Sequence, residues 1–253
     1  MTPDQYIQSI MAKYAVQTGP LSPAERAANA IAPAIRNWSG QWLLGISYSG
    51  SYAKGTAVAT GTDLDLFISL SSKTPGSLKD IYMSLYRKAV SSFWSPVMQN
   101  VSIGLKHSGR KIDLVPARLQ SGYKNVHSLY HRKTDTWRQT DVAIQIRTVS
   151  GSKRVNEIRA LKIWRDLHQL EFPSFFLELA TIEGLKYQRF GNLANNVIHA
   201  LRYFGSSLTT TRIVDPGNTN NVISDDLTLS KKFTIQNQAN SSANAQNWSQ
   251  IIW

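Results

Sequence analysis

Two short stretches each carry a carboxylate inside an otherwise apolar run: Asp63-Leu64-Asp65-Leu66-Phe67-Ile68-Ser69-Leu70 and Lys111-Ile112-Asp113-Leu114-Val115-Pro116. The first alternates as a strand does from Leu64 to Leu70. Leu64, Leu66 and Ile68 then share a core face, while Asp63 and Asp65 share the other, about 7 Å apart along the chain. Asp113 stands alone among Ile112, Leu114 and Val115. An unpaired buried carboxylate is costly, so this acid needs a cation or a hydrogen-bonding partner. A strand laid beside Asp63 and Asp65 supplies the reason for it: three carboxylates gathered around divalent cations. Hard ions that prefer oxygen fit such a set, Mg²⁺ first and Mn²⁺ in its place.

Gly50-Ser51 lies a short loop upstream of these acids. Gly50 permits close backbone approach, and Ser51 offers a hydroxyl and an amide at the start of a helical turn, which suits triphosphate oxygens. The turn is not a P-loop: Gly45 and Gly50 have the spacing, but Ser51 stands where the lysine belongs. Each piece alone is commonplace, a D-x-D as a surface acid pair and Gly-Ser as a turn. Their order and spacing together are specific.

The surrounding pattern alternates helix and strand. Ser22-Pro23-Ala24-Glu25 predicts a helix from Pro23 towards Asn37, kinked or cut short at Pro33. Trp42 to Ser49 reads as a buried strand, and Ser77 caps a helix from Leu78 to about Phe93 with Leu78, Ile81, Tyr82 and Leu85 on one face. Val101 to Lys106 and Lys111 to Val115 form a hairpin about Ser108-Gly109. Further on, Val155 to Leu170 is amphipathic, Ser174 caps a helix through Glu183, and Leu193 to Phe204 makes another that Gly205 ends. His127 and His131 have the four-residue spacing of one helix face but lack the glutamate of a zinc-protease motif, and no Ser-His-Asp order stands out.

A chain of 253 residues can bury a sizeable core. It has no cysteine, which excludes disulfides and thiolate metal sites and agrees with a cytoplasmic protein. No run is apolar enough for membrane insertion, and the N-terminal stretch, with its early acid, does not read as a signal peptide. The formal charge of +12 attracts polyanions. Because the basic residues are spread along the sequence, a folded positive surface is expected rather than a disordered arm.

SGSYAKGTAVATGTDLDLFISL resembles the signature of the DNA-polymerase-β-like nucleotidyltransferase superfamily, and KIDLVPA resembles its third-acid strand. EIRALKIWRDLHQLEFPSFFLELATIEGL and IVDPGNTNNV resemble the helical lobe shared by oligoadenylate synthases and the bacterial cGAS-like enzymes, the CD-NTases; archaeal CCA-adding enzymes share much of it. The resemblance implies an α+β fold. A nucleotidyltransferase core of mixed β-sheet and flanking helices (1–145) is expected to be followed by a helical nucleotide-binding lobe (146–253), the two forming a cleft. It makes Asp63, Asp65 and Asp113 the catalytic acids and metal ligands. It gives Gly50, Ser51 and Lys162 to the triphosphate, Ser174 to a phosphate contact, and Phe175 to stacking on the base. Relatives often carry a proline where Gly217-Asn218-Thr219 has none, which bears on that loop and not on the acids.

The implied activity is Mg²⁺-dependent joining of nucleoside triphosphates, with pyrophosphate release, into a cyclic or short linear oligonucleotide second messenger of the antiviral-defence kind. An alternative is addition of nucleotides to a tRNA or other RNA 3′ end. Its case is the charge; against it, only about 30 residues follow Val222, little room for an RNA-binding domain. A third reading, a nucleic-acid-binding protein on a dead transferase fold, is opposed by the retention of all three acids. Expected partners are nucleoside triphosphates and a nucleic-acid activator or acceptor. Base preference, linkage and ring closure stay open at this level.

Overall fold

The computed structural model describes residues 1–61 and 63–253. Helices run over Pro3–Lys13 (α1), Pro23–Ser39 (α2), Gly50–Lys54 (α3), Leu78–Ser91 (α4), Val142–Ser150 (α5), Val155–Leu167 (α6), Ser174–Gly184 (α7), Leu193–Ser207 (α8) and Leu229–Ala243 (α9). Strands run over Leu43–Tyr48 (β1), Leu64–Leu70 (β2), Val97–Met98 (β3), Ile103–His107 (β4), Arg110–Leu119 (β5), His127–His131 (β6) and Thr136–Thr140 (β7). The chain folds into two compact units, both discontinuous: residues 17–53 with 62–144, and residues 1–16 with 54–61 and 145–253. No helix among the described residues is long and apolar enough to cross a membrane.

The first unit is built on a mixed sheet in the order β1-β2-β5-β4-β3, extended by β6 on β5 and β7 on β6. β2 and β5 are parallel, and the other pairs are antiparallel. One sheet face carries Leu64, Leu66, Ile68, Ile112 and Leu114, packed against Ile31 and Ile35 of α2 and Ile81, Tyr82 and Leu85 of α4. Burying each such side chain stabilises by about 1.5–3 kcal/mol. A one-residue slip of β2 would turn its leucines outward and Asp65 inward, so this packing fixes the register. The opposite face therefore presents the odd-numbered residues, Asp65 and Phe67 on β2 and Asp113, Val115 and Ala117 on β5.

Two expectations for this unit need correction. α2 does not end at Pro33 but continues to Ser39. Pro33 forfeits one backbone hydrogen bond, but the burial of Ile31, Ala32 and Ile35 on either side outweighs that loss. His127 and His131 lie on a strand, not a helix. His127 is buried, with Nε2 on Ser69 Oγ at 2.7 Å and Nδ1 on the Asn125 carbonyl at 2.8 Å, and His131 Nδ1 meets Thr134 Oγ1 at 2.7 Å. Each has a local structural partner.

The second unit is helical. Ile158, Leu161 and Trp164 of α6 share one core with Phe176 and Leu177 of α7, Val197, Leu201 and Phe204 of α8, Ile235 of α9, and Ile7 of α1. Two further expectations change here. Pro173, not Ser174, is the N-cap residue of α7, and Ser174 is its first helical residue. α8 continues past Gly205 to Ser207. A Cβ on Gly205 would come within 2.0 Å of Asn240 Oδ1, and Asn240 Nδ2 donates to the Gly205 carbonyl at 3.1 Å. This glycine serves the close approach of α9 rather than termination.

Candidate active site

The parallel register of β2 and β5 sets Asp65 directly beside Asp113. Across the next strand pair, Gly104 of β4 is the register partner of Asp113. Asp63, immediately before β2, lines the same cavity as Asp113, a space of ≈ 320 Å³ bounded also by Gln99, Gly104, Lys106 and Lys111. A Cβ on Gly104 would sit 2.5 Å from Gln99 Nε2 and 3.2 Å from Asp113 Oδ1, so the missing side chain opens the floor of this cavity.

Asp113 is held from both oxygens. Gln99 Nε2 donates to Oδ1 at 3.0 Å, and Ser102 Oγ donates at 3.5 Å towards Oδ2 while also donating to Gln99 Oε1 at 2.6 Å. Burial, followed by the charge of Asp63, pushes the Asp113 carboxyl above the usual carboxylate range. The Gln99 and Ser102 hydrogen bonds and the Lys111 charge hold part of that back. On the other side, Gly50 has φ +55°, and a Cβ there would collide with the Asp65 carboxylate, 1.8 Å from Oδ2. Gly50 is required twice over, for its left-handed backbone and for the room it leaves Asp65.

Among the described residues, no three acids or histidines converge as closely as a metal-bound cluster does. The donor set nevertheless fits a hard divalent cation. Asp65 and Asp113 are neighbours on one sheet face, Asp63 is near enough to raise the Asp113 carboxyl, and a cation among them would relieve that repulsion.

Lys162, Ser174 and Phe175 belong to the helical unit. Lys162, which the resemblance gives to the triphosphate, is 2% exposed. Its Nζ donates to Glu178 Oε1 at 2.6 Å and to Thr56 Oγ1 at 2.9 Å. Lys54 Nζ donates to the other Glu178 oxygen at 2.9 Å and lies 3.9 Å from the Phe175 ring centroid. Burial would raise the Glu178 carboxyl, but Lys54 and Lys162, helped by hydrogen bonds from Lys162 and Thr56, hold it below the usual glutamate range. Burial lowers the Lys162 ammonium against the pull of Glu178. Ser174 Oγ accepts from Arg165 Nη1 at 2.9 Å and keeps its own proton to donate. Phe175 is half-buried against the helical core.

Sequence reasoning missed Gln99, Gly104, Lys54, Thr56 and Glu178. One signal was present: Glu178 is a lone acid in the apolar stretch Ser174-Phe175-Phe176-Leu177-Glu178-Leu179-Ala180.

No family model matches the chain. In sequence it is 28% identical over 182 residues to the cyclic AMP-AMP-AMP synthase of Escherichia coli (strain MS 115-1), covering 65% of this chain and 56% of that protein. The chain therefore spans little more than half the length of this curated relative. Among solved structures, the Bradyrhizobium diazoefficiens CD-NTase CdnG in complex with GTP matches with a TM-score of 0.79 at 14% identity, over 96% of this chain and 91% of that one. The E. coli MS115-1 CdnC:HORMA-deltaN complex matches with a TM-score of 0.72 at 19% identity, over 95% of this chain and 89% of that one. The chain resembles the CD-NTases in sequence and has their α+β fold.

Proposed function

We propose that this chain, with the fold of the CD-NTases, is a nucleotidyltransferase that joins nucleoside triphosphates into a short linear or cyclic oligonucleotide signal. The observation that carries the reading is the shared sheet face of Asp65 and Asp113, with Asp63 lining the same cavity. In the reaction, an acceptor hydroxyl oxygen bonds to the α-phosphorus of a donor nucleotide. The bond to the oxygen bridging the α- and β-phosphates breaks, pyrophosphate leaves, and the hydroxyl proton passes to solvent.

Asp63, Asp65 and Asp113 would hold the divalent cation, Mg²⁺ or Mn²⁺, which when bound supplies charge neutralisation at the phosphates and acidifies the acceptor hydroxyl. Gln99 and Ser102 fix the orientation of the Asp113 carboxylate. Gly50 and Ser51 are assigned to the donor triphosphate, where the absent Cβ of Gly50 also leaves Asp65 its place. In the helical unit, Ser174 is assigned a phosphate contact through its hydroxyl proton and Phe175 the donor base. Lys162 acts inside the buried Glu178 network and not on the ligand. Positioning and charge neutralisation supply most of the rate in such transfers, so the scaffold needs little else.

The test is mass spectrometry of the products made from a mixture of four nucleoside triphosphates with Mg²⁺. ATP deserves its own reaction, because the E. coli relative is a cyclic AMP-AMP-AMP synthase. Small phosphatase-resistant oligonucleotides support the reading, and unchanged triphosphates count against it. The net charge of +12 favours a second reading, transfer to an RNA 3′ end.

A further inference from the structure

Beside the acids, on their own sheet face, stands a pair of lysines to which the transferase reading has given no ligand. Along β5, Lys111 precedes Asp113 by two residues and so shares its face. Across the hairpin Lys106 is the direct register partner of Lys111, as Gly104 is of Asp113. Successive rows of this face therefore read Asp65-Asp113-Gly104 and then Lys111-Lys106. The second row lies about 7 Å further along the strands. Both lysines are exposed, and both line the cavity that contains Asp63, Asp113 and Gln99.

Two like charges opposed across an antiparallel pair destabilise it. Neither lysine forms an ion pair among the described residues. The hairpin tip adds His107 and Arg110, also register partners, around Ser108-Gly109 at positive φ. An unfavourable arrangement of this kind, open to a cavity floored by a glycine, is what a bridging anion would stabilise. The position also selects the anion. Gly50-Ser51 lies beside Asp65, on the β1 side of the acids, whereas Lys106 and Lys111 extend the cavity on the β4 side, next to Asp113.

We propose that Lys106 and Lys111 bind the phosphates of the acceptor, a nucleotide or short linear oligonucleotide bearing a 5′-triphosphate, and so present its hydroxyl at Asp113. The proposal rests on the transferase reading. Donor and acceptor triphosphates then occupy opposite sides of the acid row, and the lysine pair acts on the acceptor alone.

The test is fluorescence anisotropy on the full chain with a labelled linear diadenylate, carrying or lacking its 5′-triphosphate. Lys106→Glu/Lys111→Glu is expected to weaken binding of the triphosphorylated probe about tenfold or more. It should leave the unphosphorylated probe almost unchanged. Each lost phosphate contact should also flatten the slope of log affinity against log salt by about 0.7. Lys106→Arg/Lys111→Arg should keep the affinity. Lys106→Glu alone should keep or raise the melting temperature, since it turns a repulsive pair into an attractive one, while still losing affinity; a structural role would move both together. Loss of phosphate-dependent binding supports the site even if the wild-type chain transfers no nucleotide, in which case the transferase reading is at fault. Unchanged affinity and salt slope in the double glutamate variant overturn the proposal while leaving transfer untouched.

Discussion

Asp113 and Glu178 face the same physical problem, a carboxylate among apolar neighbours, and meet it differently. Glu178 is closed by two lysines and a threonine. Asp113 is only partly satisfied, by neutral donors, and is raised by burial and by Asp63. Under the transferase reading the closed Glu178 network is structural, costly to break rather than a net source of stability, and Asp113 is left to ligate a cation. We expect Asp63→Asn, Asp65→Asn and Asp113→Asn each to lower nucleotide transfer more than about a hundredfold. Circular dichroism should show the fold unchanged, and near-normal turnover in a purified variant would remove that residue from the site. Glu178→Gln should instead cost about 3–5 kcal/mol in denaturant unfolding, because it leaves two buried ammonium groups without their counter-charge. The folded Glu178 carboxyl lies below its ordinary range, so its contribution is fully present above the unfolded glutamate pKa and is lost as pH falls through the folded value. Wild-type stability should therefore drop more steeply than that of Glu178→Gln below about pH 4.5. Parallel pH profiles would contradict this assignment.

Elements were legible where periodicity was strong. β2 spans the residues that alternate, Leu64–Leu70, and α4 starts at the capping box of Ser77 and Asp80. The hairpin turns at Ser108-Gly109, where both residues have positive φ. Punctuation residues misled when their role was tertiary. Gly205 resembles a helix stop, yet it makes room for Asn240 of a helix that sequence reading did not anticipate. Lys162 was expected at the triphosphate because the resemblance and a single-helix view do not show the glutamate it meets on the next helix. The common face of the candidate acids Asp65 and Asp113 was readable from strand alternation, whereas their adjacency depends on the parallel register of β2 and β5, and Asp63 lies just before the strand. Gln99 and Gly104 were not readable, since their place depends on the register of β3 and β4 against β5. Gly205→Leu should lower stability by about 1–3 kcal/mol through overpacking. A thermal melt unchanged in that variant would mean α8 and α9 tolerate more separation than the Asn240 contact implies. Gly50→Ala should cost about 1–2 kcal/mol for the left-handed backbone alone. It should reduce transfer as well, since the added carbon strikes Asp65.

For the whole molecule, the charge of +12 and the acidic row pull in one direction. A basic protein concentrates polyanions, and under the proposed reading the carboxylates on one sheet face are where they react. The charge alone does not distinguish a nucleotide from an RNA end. Joining free nucleotides needs only donor and acceptor pockets, whereas gripping a long duplex usually demands further surface. The most direct measurement supplies α-labelled nucleoside triphosphates and Mg²⁺, with and without bulk tRNA, and follows where the label goes. Synthesis of a short oligonucleotide signal predicts label in a small phosphatase-resistant product under both conditions and loss of that product in Asp113→Asn. Label confined to tRNA ends, with no small product, would contradict it.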